Sequence, residues 1–137
     1  MKVALEADDK DEVLQALMVG MKAFNGAAVP DLVSHKIVAA VRDDSGKVVG
    51  GVIGRMSADS VYVEVVYNDE AVRGTGLGTK AMLLVEEEAK RLGAVEAWLY
   101  TMSFQAKPFY EKIGYHMFAE LNWMGGKHKR QFMRKDL

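Results

Sequence analysis

The chain has 137 residues, half of them hydrophobic, and its 18 Lys plus Arg against 19 Asp plus Glu leave a formal net charge of −1. That length suits one domain over 1–137 with a real core, and the charge balance gives no reason to expect nucleic acid or an anionic membrane as partner. The absence of cysteine excludes disulfides, cysteine metal sites and a thiol nucleophile. No apolar run nears the ~20 residues of a membrane span and no signal-peptide pattern opens the chain, so a cytoplasmic soluble protein is expected.

Residues Lys2 to Ala7 read as a short strand, after which Asp8 or Asp9 can N-cap a helix to about Phe24. Val13, Leu14, Leu17, Met18 and Met21 carry its helical spacing, and Asn25-Gly26 reads as its stop. His35 to Arg42 and Lys47 to Ser57 form a predicted hairpin around Asp43-Asp44-Ser45-Gly46, and Gly50-Gly51 inside the second strand suggests a bulge or a close backbone approach. Val61 to Tyr67 continues the meander. A glycine loop follows, then a helix to about Arg91 ended by Gly93, a strand Val95 to Thr101 and a short helix Phe104 to Ile113 stopped by Gly114. Tyr115 to Leu121 and Lys129 to Leu137 read as strands, joined by a mobile loop that holds Gly125-Gly126 and the start of a basic run, Lys127 to Arg130. The order β-α-β-β-β-α-β-α-β-β predicts an α/β fold with a mixed sheet, mostly antiparallel in its first half.

The most telling segment is Arg73-Gly74-Thr75-Gly76-Leu77-Gly78, set between an apolar strand and the helix pattern that opens at Thr79. Strand, glycine loop and helix aim backbone N–H groups at a phosphate, with the partial positive charge of the helix start behind them. A dinucleotide fingerprint needs G-x-G-x-x-G, and a P-loop needs G-x-x-x-x-G-K-[ST]; neither spacing is present. Glu64 is the lone carboxylate in Val61-Tyr62-Val63-Glu64-Val65-Val66-Tyr67, a run apolar on both faces. Burial there would raise its pKa and suit it to take a proton from an ammonium; the alternative is an ion pair with Arg55. The three histidines lack metal-ligand spacing with each other or with an acid cluster, so no metal is expected.

Arg73-x-x-Gly76-x-Gly78 resembles the acyl-CoA pyrophosphate loop of the GNAT superfamily of N-acetyltransferases. Ser103 to Tyr115, with Phe109-Tyr110-Glu111-Lys112-Ile113-Gly114-Tyr115 at its end, is similar to the family's second signature. Glu64, Asp69-Glu70-Ala71-Val72-Arg73 and Thr101-Met102-Ser103-Phe104-Gln105-Ala106 resemble a subgroup of small bacterial members. The resemblance covers the chain from about residue 35 onward and implies the GNAT fold with a shortened N-terminal helix region.

It further implies acetyl-CoA as acyl donor, its pyrophosphate held by backbone amides from Thr75 to Thr79 along Gly76, Leu77 and Gly78, with Arg73 and Gly74 beside them. The strand before the loop would splay from its neighbour, leaving Val66, Tyr67 and Asn68 to pair with the pantetheine arm. Ser103 stands where the family often has an arm-binding asparagine. Tyr110 occupies the place of the tyrosine that protonates the leaving thiolate, a transfer open to a phenol of pKa near ~10. Glu64 is the candidate base, and a backbone N–H near Val66 would polarise the thioester oxygen. The expected function is acetyl transfer to a primary amine, small-molecule or protein, by direct attack in a ternary complex; a homodimer fits the family analogy. The alternatives are a non-catalytic acyl-CoA-binding module on the same fold and an unrelated nucleotide-phosphate binder.

Overall fold

The computed structural model describes residues 1–6 and 11–137. These form two compact units, Met1–Leu32 and Val33–Leu137. In the first, α1 spans Asp11–Ala28, with Asp11 and Glu12 in the first turn, where carboxylates offset the positive end of the helix dipole. The helix runs through the expected stop at Asn25-Gly26. Ala27 and Ala28, strong helix formers, carry it past a glycine that costs about 1 kcal/mol, and Val29 N–H donates to the Asn25 carbonyl at 2.8 Å. Met1 to Glu6 make no strand, contrary to expectation. Ala7 and the two capping candidates, Asp8 and Asp9, lie outside the described residues.

The second unit is a six-stranded mixed sheet with two helices. Its strands are β1 (Ser34–Arg42), β2 (Val48–Ser57), β3 (Ser60–Asn68), β4 (Glu96–Met102), β5 (His116–Trp123) and β6 (His128–Asp136), and its helices are α2 (Leu77–Arg91) and α3 (Lys107–Lys112). The spatial order is β1-β2-β3-β4-β6-β5, antiparallel everywhere except between β3 and β4, which α2 connects as a parallel crossover. The link expected to be a mobile loop is a tight turn. Trp123 pairs with His128, and Met124, Gly125 and Gly126 take positive φ, so most of the basic run lies in strand β6. The helix after β4 begins at Lys107 rather than Phe104, with Pro108 in its first turn, where a missing N–H costs nothing.

α2 packs its apolar stripe on one face of the sheet. Ala81, Met82, Val85 and Ala89 meet Val52, Val61, Val63, Leu99 and Met133, all buried. Each large side chain buried this way contributes about 1.5–3 kcal/mol. Gly54 lets the helix close in, since a Cβ there would stand 2.9 Å from Val85. Inside this layer Glu86 takes a hydrogen bond from the Tyr115 hydroxyl at 2.9 Å and one from Lys135 at 2.5 Å, tying α2 to β6 and to the start of β5. The opposite face carries an aromatic row in which Tyr62 stacks on Trp98 at 4.3 Å and Tyr100 leans on Phe132 at 5.8 Å. No described helix is long and apolar enough to cross a membrane.

Candidate functional site

β3 and β4 pair only over Ser60–Glu96, Val61–Ala97 and Tyr62–Trp98. Beyond that point each strand keeps its outer partner and loses its inner one, so the backbone edges of Val63 to Asn68 and of Leu99 onward face an open wedge. A bulge opens it: Ile53 pairs with Val65 and Gly54 with Val63, leaving Glu64 as the extra residue. The wedge leads into a cleft of about 910 Å³ whose walls include β3 from Val63 to Asn68, the glycine loop, Leu99 to Thr101 and α3.

The glycine loop closes one end. Gly74 and Gly76 have φ of 76° and 83°, a left-handed backbone that side chains resist and that glycine-rich anion-binding loops use. Gly78 is glycine for another reason. A Cβ there would stand 2.6 Å from Asn68 Nδ2, and a Cβ on Gly50 would stand 2.6 Å from Asn68 Oδ1, so the Asn68 amide sits between two glycines of β2 and α2. The expected close approach at Gly50-Gly51 is met twice over, because a Cβ on Gly51 would stand 2.5 Å from the Ala39 carbonyl oxygen.

Within the loop the amides divide by task. Thr75 N–H donates to the Val72 carbonyl, its hydroxyl donates to the same oxygen at 2.6 Å, and Leu77 N–H donates to that hydroxyl at 3.3 Å. Thr75 and Leu77 thus shape the loop, and neither lines the cleft. The amides of Gly74, Gly76, Gly78 and Thr79 find no acceptor among the described residues, and all four residues line the cleft. Arg73 uses Nε on the Asn68 carbonyl at 3.1 Å, which keeps the outer nitrogens of its guanidinium for an anion.

Tyr110 is buried in the core, with its ring edge-on to Phe109 and Tyr115, and it also lines the cleft. Burial pushes its phenol above the usual tyrosine range, so the proton stays on at neutral pH. Glu64 lines the cleft but is not buried as expected. Alternation along β3 puts it on the face of Tyr62, opposite the buried Val61 and Val63, where it is exposed and accepts a hydrogen bond from Arg55 Nε at 2.5 Å, the ion pair foreseen as the alternative. Ser103 does not line the cleft. It exchanges hydrogen bonds with the Lys129 backbone, its hydroxyl accepting from Lys129 N–H at 3.0 Å, and so pins the β4–α3 connection to β6. The arm-binding place expected of it therefore lies apart from the cleft walls.

Gln105 and Thr101 line the cleft nearby. Gln105 Oε1 accepts from Met102 N–H at 2.8 Å, which folds the turn before α3. Phe104, Tyr100 and Val72 complete the walls without having been singled out from the sequence. Thr101, Phe104 and Gln105 stood inside a recognised motif, while Tyr100 is an ordinary strand aromatic until the wedge beside it is known. Among the described residues no three His, Asp or Glu side chains gather as a metal site.

Residues 11–115 match the profile of the family described as "Acetyltransferase (GNAT) family". The chain is 29% identical over 110 residues, 80% of each protein, to Acetyltransferase Atu2258 of Agrobacterium fabrum. It is 29% identical over 79 residues to Blasticidin-S acetyltransferase of Streptomyces morookaense, a stretch covering 57% of this chain and 58% of that one. A crystal structure from Agrobacterium tumefaciens, of a protein assigned as an acetyltransferase, superposes with a TM-score of 0.92 over 100% of both chains at 26% identity.

Proposed function

The chain belongs to the GNAT acetyltransferase family, and from that premise we propose that it moves an acetyl group from acetyl-CoA to a primary amine by direct attack in a ternary complex. The observation that carries the reading is the wedge between β3 and β4, which runs from four free amides of the glycine loop and the start of α2 to the Tyr110 wall. A pyrophosphate fits the amides of Gly74, Gly76, Gly78 and Thr79 with Arg73 beside it. The pantetheine arm fits the unpaired edge of β3 along Val66, Tyr67 and Asn68, as an added strand.

The amine nitrogen attacks the thioester carbon while a free backbone N–H of β3 near Val66 stabilises the oxyanion. The carbon–sulfur bond breaks and coenzyme A leaves as a thiolate, which takes the Tyr110 proton. The ammonium proton passes to Glu64 directly or through water, since the carboxylate opens on the cleft from the bulge. With no cysteine in the chain, a cysteinyl acyl-enzyme is excluded.

The test is an amine panel assayed for coenzyme A release, with Tyr110→Phe run in parallel. Amine-stimulated release that falls about 10²- to 10⁴-fold in the Phe variant supports the reading. Release that no amine stimulates, with acetyl-CoA still bound, points instead to a binding module. Equal turnover by both proteins removes the acid role.

A further inference from the structure

The acceptor end of the cleft carries a charge pattern that acetyl transfer by itself does not require. Tyr100 is a wall of the cleft and belongs to the aromatic face of the sheet. Arg130, on β6, reaches across that face from its register partner Met102 and holds its guanidinium 4.9 Å from the centre of the Tyr100 ring. On the same face Arg55 is matched by Glu64, and Arg134 by Glu96 and Asp136. Arg130 has no carboxylate within ion-pair distance among the described residues, and its Nε is buried without a hydrogen-bond partner. A half-buried cation resting on an aromatic ring beside a ligand cleft is prepared for an anion that the protein does not itself supply.

Glu64 lies on β3 two residues from Tyr62, whose register partner is Arg55 and whose ring stacks 6.5 Å from that of Tyr100. The Tyr62 phenol feels both charges. Its ionisation is held back chiefly by burial, then by the Tyr100 hydroxyl and by Glu64, and is eased by Arg130. The Arg55–Glu64 pair and the unmatched Arg130 therefore share one aromatic patch beside the cleft, which Glu64 and Tyr100 line. The complementary ligand is a zwitterion, its ammonium toward Glu64 and its anion toward Arg130. One unmatched guanidinium, a planar fork carrying a single charge, matches a singly charged, planar carboxylate in both geometry and charge.

Resting on the acetyl-transfer reading, we infer that the acceptor is a small amine that also carries a carboxylate, recognised by Arg130 with its nitrogen directed to Glu64. The amine of such a molecule loses its proton at the Glu64 end and becomes an amide, while the carboxylate is unchanged.

The experiment is a coenzyme A release assay on the twenty L-amino acids, β-alanine and γ-aminobutyrate, each paired with its own carboxamide. At least one acid is expected to exceed its carboxamide tenfold or more in kcat/KM. Arg130→Gln is expected to remove that preference through the acceptor KM, with the acetyl-CoA KM as the check on the donor site. The wild-type comparison decides the point even where the variant does not fold. Acids and carboxamides used equally, or a preference that survives Arg130→Gln, overturns the inference. Acetylation of simple alkylamines or polyamines but of neither series also overturns it, and leaves acetyl transfer standing. Failure of every amine removes both the inference and the reading beneath it.

Discussion

Gly78→Ala isolates the packing that sets the glycine loop. At an exposed position in the first turn of a helix this substitution would help, because alanine outranks glycine by about 1 kcal/mol. Here the new methyl would lie 2.6 Å from Asn68 Nδ2 and 3.3 Å from its Cγ, about 0.8 Å inside ordinary contact. Asn68 has little room to retreat, since Gly50 already crowds its other side. Overpacking of this kind costs about 1–3 kcal/mol against a propensity gain of about 1 kcal/mol, so the variant should be less stable by up to about 2 kcal/mol. The displaced α2 start also misdirects the amides of Gly78 and Thr79, so the acetyl-CoA KM should rise. The control is Asn68→Ala, which removes both the obstructing side chain and a buried oxygen with no partner. In that background Gly78→Ala should become neutral or stabilising. Urea unfolding of the four proteins reads the coupling directly. Equal effects of Gly78→Ala in both backgrounds would refute the claim that Asn68 is what forbids a side chain at position 78.

Other outcomes follow from the same geometry. Arg73→Gln should raise the acetyl-CoA KM about tenfold with little change in kcat, because the charge acts on a group remote from the reacting carbon; a kcat loss without a KM change would contradict this. Arg73→Lys should restore only part of the affinity, since lysine cannot hold the Asn68 carbonyl and an anion with one planar fork. Stability should fall as pH rises past about 10. Burial, followed by the Glu86 carboxylate, lifts the Tyr115 phenol far above its unfolded value, and burial lifts Tyr110, so above pH ~10 the unfolded chain sheds protons that the folded one keeps. The slope approaches about 1.4 kcal/mol per pH unit from Tyr115, and Tyr115→Phe should flatten it in urea melts at pH 9, 10 and 11; an unchanged slope would count against the buried Tyr115–Glu86 contact.

The glycine loop and the wall carrying Tyr110 were legible as parts of the cleft because they are local in sequence. A strand, alternating glycines and a helix start fix where free amides point, and Tyr110 follows from one short motif. What escaped prediction depends on long-range pairing. Whether Glu64 is buried is decided by what covers the sheet face it shares with Tyr62, which no pattern within Val61 to Tyr67 displays; that face leaves it exposed and paired with Arg55. Ser103 was assigned by position in a motif, yet its hydroxyl is taken by the backbone of Lys129, a strand away. Glycines hid two different causes under one letter: Gly74 and Gly76 serve backbone conformation, whereas Gly50 and Gly78 make room for Asn68. The β5–β6 turn was misread as a mobile loop because its glycines and basic residues look like a linker until Trp123 is seen to pair with His128.

The central claim is that acetyl-CoA lies in the wedge between β3 and β4 with its pyrophosphate on the glycine loop. A crystal structure of the chain with coenzyme A tests it most directly. The account predicts pyrophosphate oxygens within hydrogen-bond distance of the amides of Gly74, Gly76, Gly78 and Thr79, the pantetheine arm along Val66 to Asn68, and the sulfur beside the Tyr110 hydroxyl. Coenzyme A bound elsewhere, or a sulfur remote from Tyr110 with the pyrophosphate in place, would contradict it.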